Sequence, residues 1–407
     1  MRKSTFLWCA VVLAVLMVIL PSVNAFAAKE KVVKIGVVDP LSGNFKDIGD
    51  RYLEGVQYAA EVLNERGGLL GHKVEIVPLD SELKPDVATR KAQKLMQKED
   101  VKFFCAGVGS SVGGAMSKLC ERNNALYYTY GQAAASLTGE NCSRNFFRCD
   151  KNTDTHSFAL ANWVAKEGYK KVAVIAQDYS FGQQAAEAFI RKLNELNPDA
   201  KIVSKILHPI GTKDFAPYVS QIISSGAEVV FTSNWGNDLT LLIKQGLPLG
   251  LKAKFVCYYL NDENIIAGVA NDDAVVGHIA SEIYMLSIPG EKNEAFKKGF
   301  YEKKGYYPSY CRGKAYSATM FWAEAVKKAG SFDVDKIIAA WEGMTYEGPA
   351  GKWYMRPCDH QTQLPIWMAE IEKGTPYYDH AFVGKAWMVP AEDISVPCEE
   401  TGCTKIK

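Results

Sequence analysis

Short β-branched runs alternate with longer helix-patterned stretches along most of this chain, and that alternation confines it to very few folds. The first run, Lys31 to Pro40, is rich in valine and is ended by proline, the pattern of a strand buried on both faces. Ile48, Tyr52, Val56, Ala59 and Leu63 then recur at helical spacing until Gly67 and Gly68 stop the pattern. Strand Lys73 to Leu79, helix Pro85 to Lys98, strand Val101 to Ala106, helix Val112 to Arg122 and strand Leu126 to Tyr130 repeat the cycle. After a polar stretch from Cys142 to Asp154 it restarts, with strands expected at Lys171 to Ala176, Ala200 to Ile206, Glu228 to Thr232 and Lys254 to Tyr258. Strands joined through helices form right-handed βαβ units around a covered parallel sheet, so two doubly wound α/β units are expected, the second starting near residue 150. Beyond Ile279 to Met285, helices Asn293 to Lys304 and Arg312 to Gly330 and the strand-like Pro365 to Ile371 are too few for a third sheet. They complete the first two units, and the chain must then cross between them more than once.

The 407 residues, 48% hydrophobic and 23% charged, suffice for two or three domains of roughly 150 residues each. A formal charge of +1 supplies no net field for nucleic acid or an anionic membrane. Arg2 and Lys3 precede an apolar run from Phe6 to Leu20, and small residues follow through Ala28, the pattern of a secretory signal removed after Ala27. Its loss removes two positive charges and no acid, so +1 becomes −1. No other apolar run is long enough to span a bilayer, so no stable membrane insertion is expected after cleavage. Export makes disulfides the default reading of cysteine. Of ten cysteines, Cys9 leaves with the signal and the other nine cannot all pair. Cys142, Cys149, Cys398 and Cys403 either clip locally or tie the C-terminal tail to the first unit, and Cys105 and Cys120 are either a pair or two buried thiols. The CxxC and HxxxH spacings of zinc sites are missing, so no metal is expected, and no cofactor.

Gly107-Val-Gly-Ser-Ser-Val-Gly-Gly114, between a strand and a helix, admits three readings. As a phosphate loop it follows the third strand instead of the first. As a GxSxG elbow it makes Ser111 the nucleophile of a serine hydrolase, but no HGGG-like turn precedes it to form an oxyanion hole. As a simple helix start, its free N–H groups and the Ser110 and Ser111 hydroxyls make an anion site suited to a carboxylate.

Pro40-Leu41-Ser42-Gly43, then Gly49, Gly55, Asn64, Gly67-Gly68, Gly71 and Asp80, resemble the opening of the Leu/Ile/Val-binding protein family, exported solute receptors of ABC transporters. Ser110-Ser111, Leu137-Thr138-Gly139, Asp178-Tyr-Ser-Phe-Gly182, Lys213-Asp-Phe215 and Gly348-Pro349 continue the likeness across most of residues 32 to 370. The resemblance implies a type I periplasmic binding fold: two doubly wound parallel-sheet lobes joined by three crossovers, closing on ligand by a hinge. The expected division is 28–150 with 280–350 in the first lobe, 151–279 with 351–390 in the second, and a tail at 391–407. It also implies a non-enzymatic, periplasmic receptor that hands a small carboxylate to a membrane permease. A hydrolase using Ser111, or a ligand-sensing subunit with the same cleft, is the alternative.

Carried over residue by residue, Ser110 matches the serine that holds the ligand carboxylate, with Ser111 beside it. Gly131 to Ala133, with Gln132 between, match backbone that meets the same group, although Ala133 stands where amino-acid binders often have threonine. Ile48 falls at a cover position, and Phe181 and Trp235 match aromatic positions of the second lobe, Trp235 offering a stacking face or its indole N–H. Tyr259 falls where amino-acid receptors place the acid that pairs with the ligand ammonium. Without an acid there, a buried ammonium is costly, so the expected ligand is either an amino acid, with Asp178, Asp262 or Glu263 taking that role, or an amine-free aliphatic or aromatic acid.

Overall fold

Two main sheets account for the alternation. The computed structural model describes residues 31–406; the expected signal segment lies outside the described residues. The first sheet is wholly parallel, in the order Lys73–Asp80, Val32–Asp39, Phe103–Ala106, Leu126–Thr129, Phe146–Arg148. Packing of the valine-rich strand is tight enough that a Cβ on Gly36 would lie 2.6 Å from the Phe104 ring. The second sheet runs Phe382–Val383, Ile366–Glu372, Ile279–Glu282, Lys254–Cys257, Val229–Thr232, Lys171–Gln177, Lys201–His208, with Trp387–Val389 also paired to Ile366–Glu372. Its Ile279-to-His208 side is parallel, and the strands from Ile366 onward are antiparallel. Intervening helices complete two doubly wound lobes, as the alternation predicts. Among the described residues no helix is long and apolar enough to cross a membrane.

Helices Glu291–Lys304, Tyr310–Ala329 and Val334–Trp341 return to the first lobe. Trp341 stacks on Phe147 at 4.5 Å, Trp322 meets Phe103 at 5.2 Å, and the Tyr310–Ala329 helix runs so close to Lys46–Glu65 that a Cβ on Gly55 would stand 2.5 Å from the Arg312 carbonyl oxygen. The structure corrects two borders of the expected division. Ile279–Glu282 pairs with Val256 and Cys257, so residues 280–282 belong to the second sheet. The Gly351–Met355 strand pairs with Thr345–Gly348, Gln361 bridges Arg148 and the His360 ring stacks on Phe147 at 4.0 Å, so residues 351–363 stay with the first lobe. Hydrogen-bond register, which hydropathy does not encode, sets both borders.

The chain therefore crosses after Arg148, after Glu282 and after Gln363. Asp150, Lys151, Glu282 and Lys314 meet there, all without solvent exposure. Lys151 Nζ is 2.5 Å from Glu282 Oε1 and 3.4 Å from Asp150 Oδ1, while Lys314 Nζ is 3.0 Å from Asp150 Oδ2 and 3.3 Å from Glu282 Oε2. Each ammonium thus faces both carboxylates. Burial pushes the Glu282 carboxyl up, but Lys151 and Lys314 outweigh it and hold it below its ordinary range.

The tail is tied to the first lobe by Cys142–Cys403, and Cys398 pairs with Cys358, a partner the spacing did not suggest. Cys149 is a buried thiol, as are Cys105 and Cys120. Cys142 and Cys403 are 261 residues apart, so their bond closes a very long loop of the unfolded chain. The Cys142→Ser/Cys403→Ser variant is expected to lose about 2–4 kcal/mol of stability in urea unfolding; an unchanged midpoint would show that this bond contributes nothing to stability.

Candidate functional site

At the end of Phe103–Ala106 the chain turns through Gly107, Val108 and Gly109 into the helix Ser110–Arg122. Asp39, at the end of the neighbouring strand, is fully buried and accepts hydrogen bonds from Gly107 N–H at 2.9 Å and Val108 N–H at 2.8 Å. The Tyr130 hydroxyl donates to its other oxygen at 3.0 Å. Gly109 has φ +82°, a conformation glycine adopts without strain, and it aims the following helix start at the cleft. The first N–H groups of that helix have no intrahelical acceptor. Ser110 Oγ accepts from Ala134 N–H at 3.2 Å, which leaves its own proton to donate.

Glycines keep this corner open. A Cβ on Gly107 would stand 2.5 Å from the Tyr52 ring, and one on Gly131 would be 2.4 Å from the Gly107 carbonyl and 2.6 Å from Tyr52 Oη. The resulting cavity between the lobes opens to about 430 Å³ of unfilled space, counting the solvent at its mouth. Ile48, Ser110, Gly131 and Ala133 line it from the first lobe; Phe181, Trp235 and Tyr259 line it from the second. Seven of the nine residues expected from the sequence therefore converge.

Two do not. Ser111 is exposed and does not line the cavity, because one residue of helical rotation carries its side chain away from Ser110. Gln132 is buried behind the loop, where its Nε2 donates to the Val108 carbonyl at 3.2 Å and its Oε1 accepts from the Tyr127 hydroxyl at 2.6 Å. It props the loop and does not line the cavity. Conversely, Tyr52 and Tyr310 line the cavity unannounced. Tyr52 was legible only as a member of a helical stripe, and Tyr310 starts a helix far along the chain. Tyr179 also lines the cavity; its hydroxyl accepts from Trp235 Nε1–H at 2.9 Å, so the indole presents its face and not its N–H. The Phe45 and Trp235 rings, 5.0 Å apart, bring the lobes together at the cavity edge.

The same contacts decide among the three readings of the glycine-rich loop. The Gly107 and Val108 amides face Asp39, so they are not free to cradle phosphate. The exposed Ser111 has no histidine partner among the described residues: His156 pairs with Ser281, His208 with Asn234 and His360 with Glu342. What remains is a neutral donor set at a helix start, suited to a carboxylate.

Among the described residues no acidic or basic side chain lines this cavity; Asp47, Arg51, Asp238 and Asp262 line an adjoining hollow that shares Ile48 and Trp235 with it. Asp178 is exposed and accepts from Gln183 Nε2–H at 2.7 Å. Asp262 is held by both Arg51 Nη atoms at 2.8 and 2.9 Å, and Glu263 Oε1 lies 3.5 Å from both Arg51 and Arg312. All three acids that stood as partners for a ligand ammonium are thus engaged elsewhere or face solvent.

A profile of the periplasmic binding protein family matches residues 32–376. Over 365 residues the chain is 29% identical to Leu/Ile/Val-binding protein homolog 4 of Brucella melitensis biotype 1, covering 86% of each chain. The crystal structure of the leucine-, isoleucine-, valine-, threonine- and alanine-binding protein from Brucella ovis, in its closed conformation, superposes with a TM-score of 0.82 at 27% identity, covering 91% of this chain and 98% of that one. A solute-binding protein from R. palustris, solved in complex with benzoate, superposes with a TM-score of 0.79 at 21% identity, covering 92% and 99%.

Burial raises the Asp39 carboxyl from 3.8 to about 7, against the three hydrogen bonds that favour its charge. A raised folded-state pKa stabilises the fold fully below 3.8, and that stabilisation is lost as pH rises through about 7. The stability of the wild type relative to Asp39→Asn is expected to fall between pH 4 and 7 and to level off above, in urea titrations across that range. A difference that stays constant with pH would mean that Asp39 does not titrate there.

Proposed function

This chain belongs to the periplasmic binding protein family, and we propose that its ligand is an amine-free carboxylate with an aromatic or branched aliphatic tail. The protein is an extracytoplasmic solute-binding protein of the ABC-transporter type that takes a small carboxylate between two lobes. The observation that carries the finer reading is that no described acid lines the cavity, and that Asp262 beside it and Glu263 are paired to arginines. Burying a ligand ammonium there would leave it without a counter-charge, a cost of several kcal/mol. An apolar tail meets Phe181, Tyr259 and the face of Trp235 with no such penalty. Benzoate in the R. palustris neighbour is a ligand of this class, which supports the reading.

In this reading Ser110 donates its hydroxyl proton to the carboxylate, the helix-start amides and the Gly131 to Ala133 backbone flank it, and Ile48 covers it from the first lobe. Closure excludes water, which strengthens each of these hydrogen bonds. The closed form then docks on a membrane permease, and the receptor works in the periplasm after removal of its signal. The chemistry needs no nucleophile, so the protein acts as a carrier and not as a hydrolase.

Thermal-shift and calorimetric titration against benzoate, 3-phenylpropanoate, 4-methylpentanoate, leucine and phenylalanine test the ligand class, because a ligand that binds only the folded state raises Tm. Amine-free acids are expected to raise it and amino acids are not. Ser110→Ala removes a hydrogen bond to a charged group, worth about 1.5–3 kcal/mol, and should weaken binding at least tenfold. A shift with amino acids alone would overturn the amine-free reading, and unchanged affinity in Ser110→Ala would remove that residue from the site.

A further inference from the structure

The lobes meet through charge as well as through the cavity. Arg51 lies on the first-lobe helix Lys46–Glu65, one residue before Tyr52 and three after Ile48, both of which line the cavity. Asp262 and Glu263 follow Tyr259, a lining residue of the second lobe. Arg51 Nη1 and Nη2 donate separately to the two Asp262 oxygens at 2.8 and 2.9 Å, the two-point fork that a guanidinium forms and an ammonium does not. The pair is buried, with side chains 4% and 1% exposed. The Arg51 guanidinium carbon stands 5.9 Å from the centre of the Tyr310 ring, another lining residue, and the ion pair lines the hollow that adjoins the cavity past Ile48 and Trp235. Arg312, also of the first lobe, reaches Glu263 at 3.5 Å, and Asn264 Nδ2–H donates across the same seam to Asp47 Oδ2 at 3.0 Å.

We propose that Arg51 is the closure cation of this receptor: its guanidinium, and not a group on the ligand, neutralises Asp262 and Glu263 as the lobes meet, and the closed form thereby selects acids without an ammonium. The inference rests on the amine-free reading and assigns the residue that enforces it. Arg51 Nη2 also lies 2.9 Å from Asp47 Oδ2, one turn back on its own helix, so with the lobes apart it keeps that exposed partner while Asp262 and Glu263 are left to water. Closing strips their water, and a buried carboxylate needs a cation in contact. The first lobe supplies one on every closure, whatever the ligand. A ligand ammonium entering the cavity would find those acids already paired and a guanidinium behind the Tyr310 ring. A neutral tail closes without either penalty.

Two substitutions should move selectivity in opposite directions. The test titrates matched acids that differ by one ammonium, 3-phenylpropanoate against phenylalanine and 4-methylpentanoate against leucine, by calorimetry on the full mature chain. Wild type is expected to prefer the amine-free member of each pair. Arg51→Gln leaves Asp262 in want of a cation; it should weaken the amine-free acids about tenfold or more, as breaking a buried charge pair does, and shift the ratio toward the amino acids by at least as much. Asp262→Asn keeps the N-cap that Asp262 now provides to Asn264 N–H, because asparagine caps equally well, and leaves the guanidinium without its fork. It should shift the ratio the other way, and it keeps the test decisive where Arg51→Gln fails to fold. Equal loss for both members of a pair in either variant, the result of a merely structural role, overturns the assignment, as does no loss at all. Wild-type preference for the amino acids, or no binding of any of the four, overturns the amine-free reading and this inference with it. An amine-free preference that survives unchanged in both variants overturns this inference alone.

Discussion

Four charges with no access to water hold the crossovers together, and the two-lobed form depends on them. Asp150 and Lys151 stand at the first crossing, Glu282 at the second, and Lys314 on the helix that returns to the first lobe. None of the four is tolerable alone, since an isolated buried ion costs several kcal/mol, but two of each sign in mutual contact satisfy one another. The cluster joins residues of the first and second crossings to the helix that returns to the first lobe. It also reaches the cavity: Lys151 Nζ lies 5.1 Å from the centre of the Tyr259 ring, and Lys314 Nζ lies 5.6 Å from that of Tyr310 and 6.0 Å from that of Tyr52. Three lining tyrosines are thereby seated on the hinge.

On the other side of the cavity the controlling group is Asp39. By taking the Gly107 and Val108 amides it fixes the loop's conformation, and the positive φ of Gly109 then presents Ser110 and not Ser111 to the cleft. Gln132 supports the same loop from behind. The Ser110 corner of the cavity is therefore braced within one lobe, while the aromatic wall of Phe181, Trp235 and Tyr259 belongs to the other. Both lobes thus line the one cavity, so a molecule held there touches each of them.

What the sequence by itself determined follows from local physics. Periodicity of two or 3.6 is a property of neighbouring residues, so the alternation of strands and helices, the two doubly wound units and the repeated crossing were all legible. The glycine-rich turn before Ser110 and the aromatic positions at Phe181, Trp235 and Tyr259 were legible too, because motif spacing within one βα unit survives folding unchanged. Tertiary structure alone decided what depends on contacts between distant segments. Arg51 and Asp262 are 211 residues apart, Cys142 and Cys403 are 261 apart, and nothing in their local surroundings selects the partner. The same holds for the borders at Glu282 and Gln363, set by strand register, and for the rotation that turns Ser111 outward and Gln132 into the core. A one-dimensional pattern specifies which face of an element is apolar; which residue meets that face, and which charge neutralises which, is settled only when the elements pack.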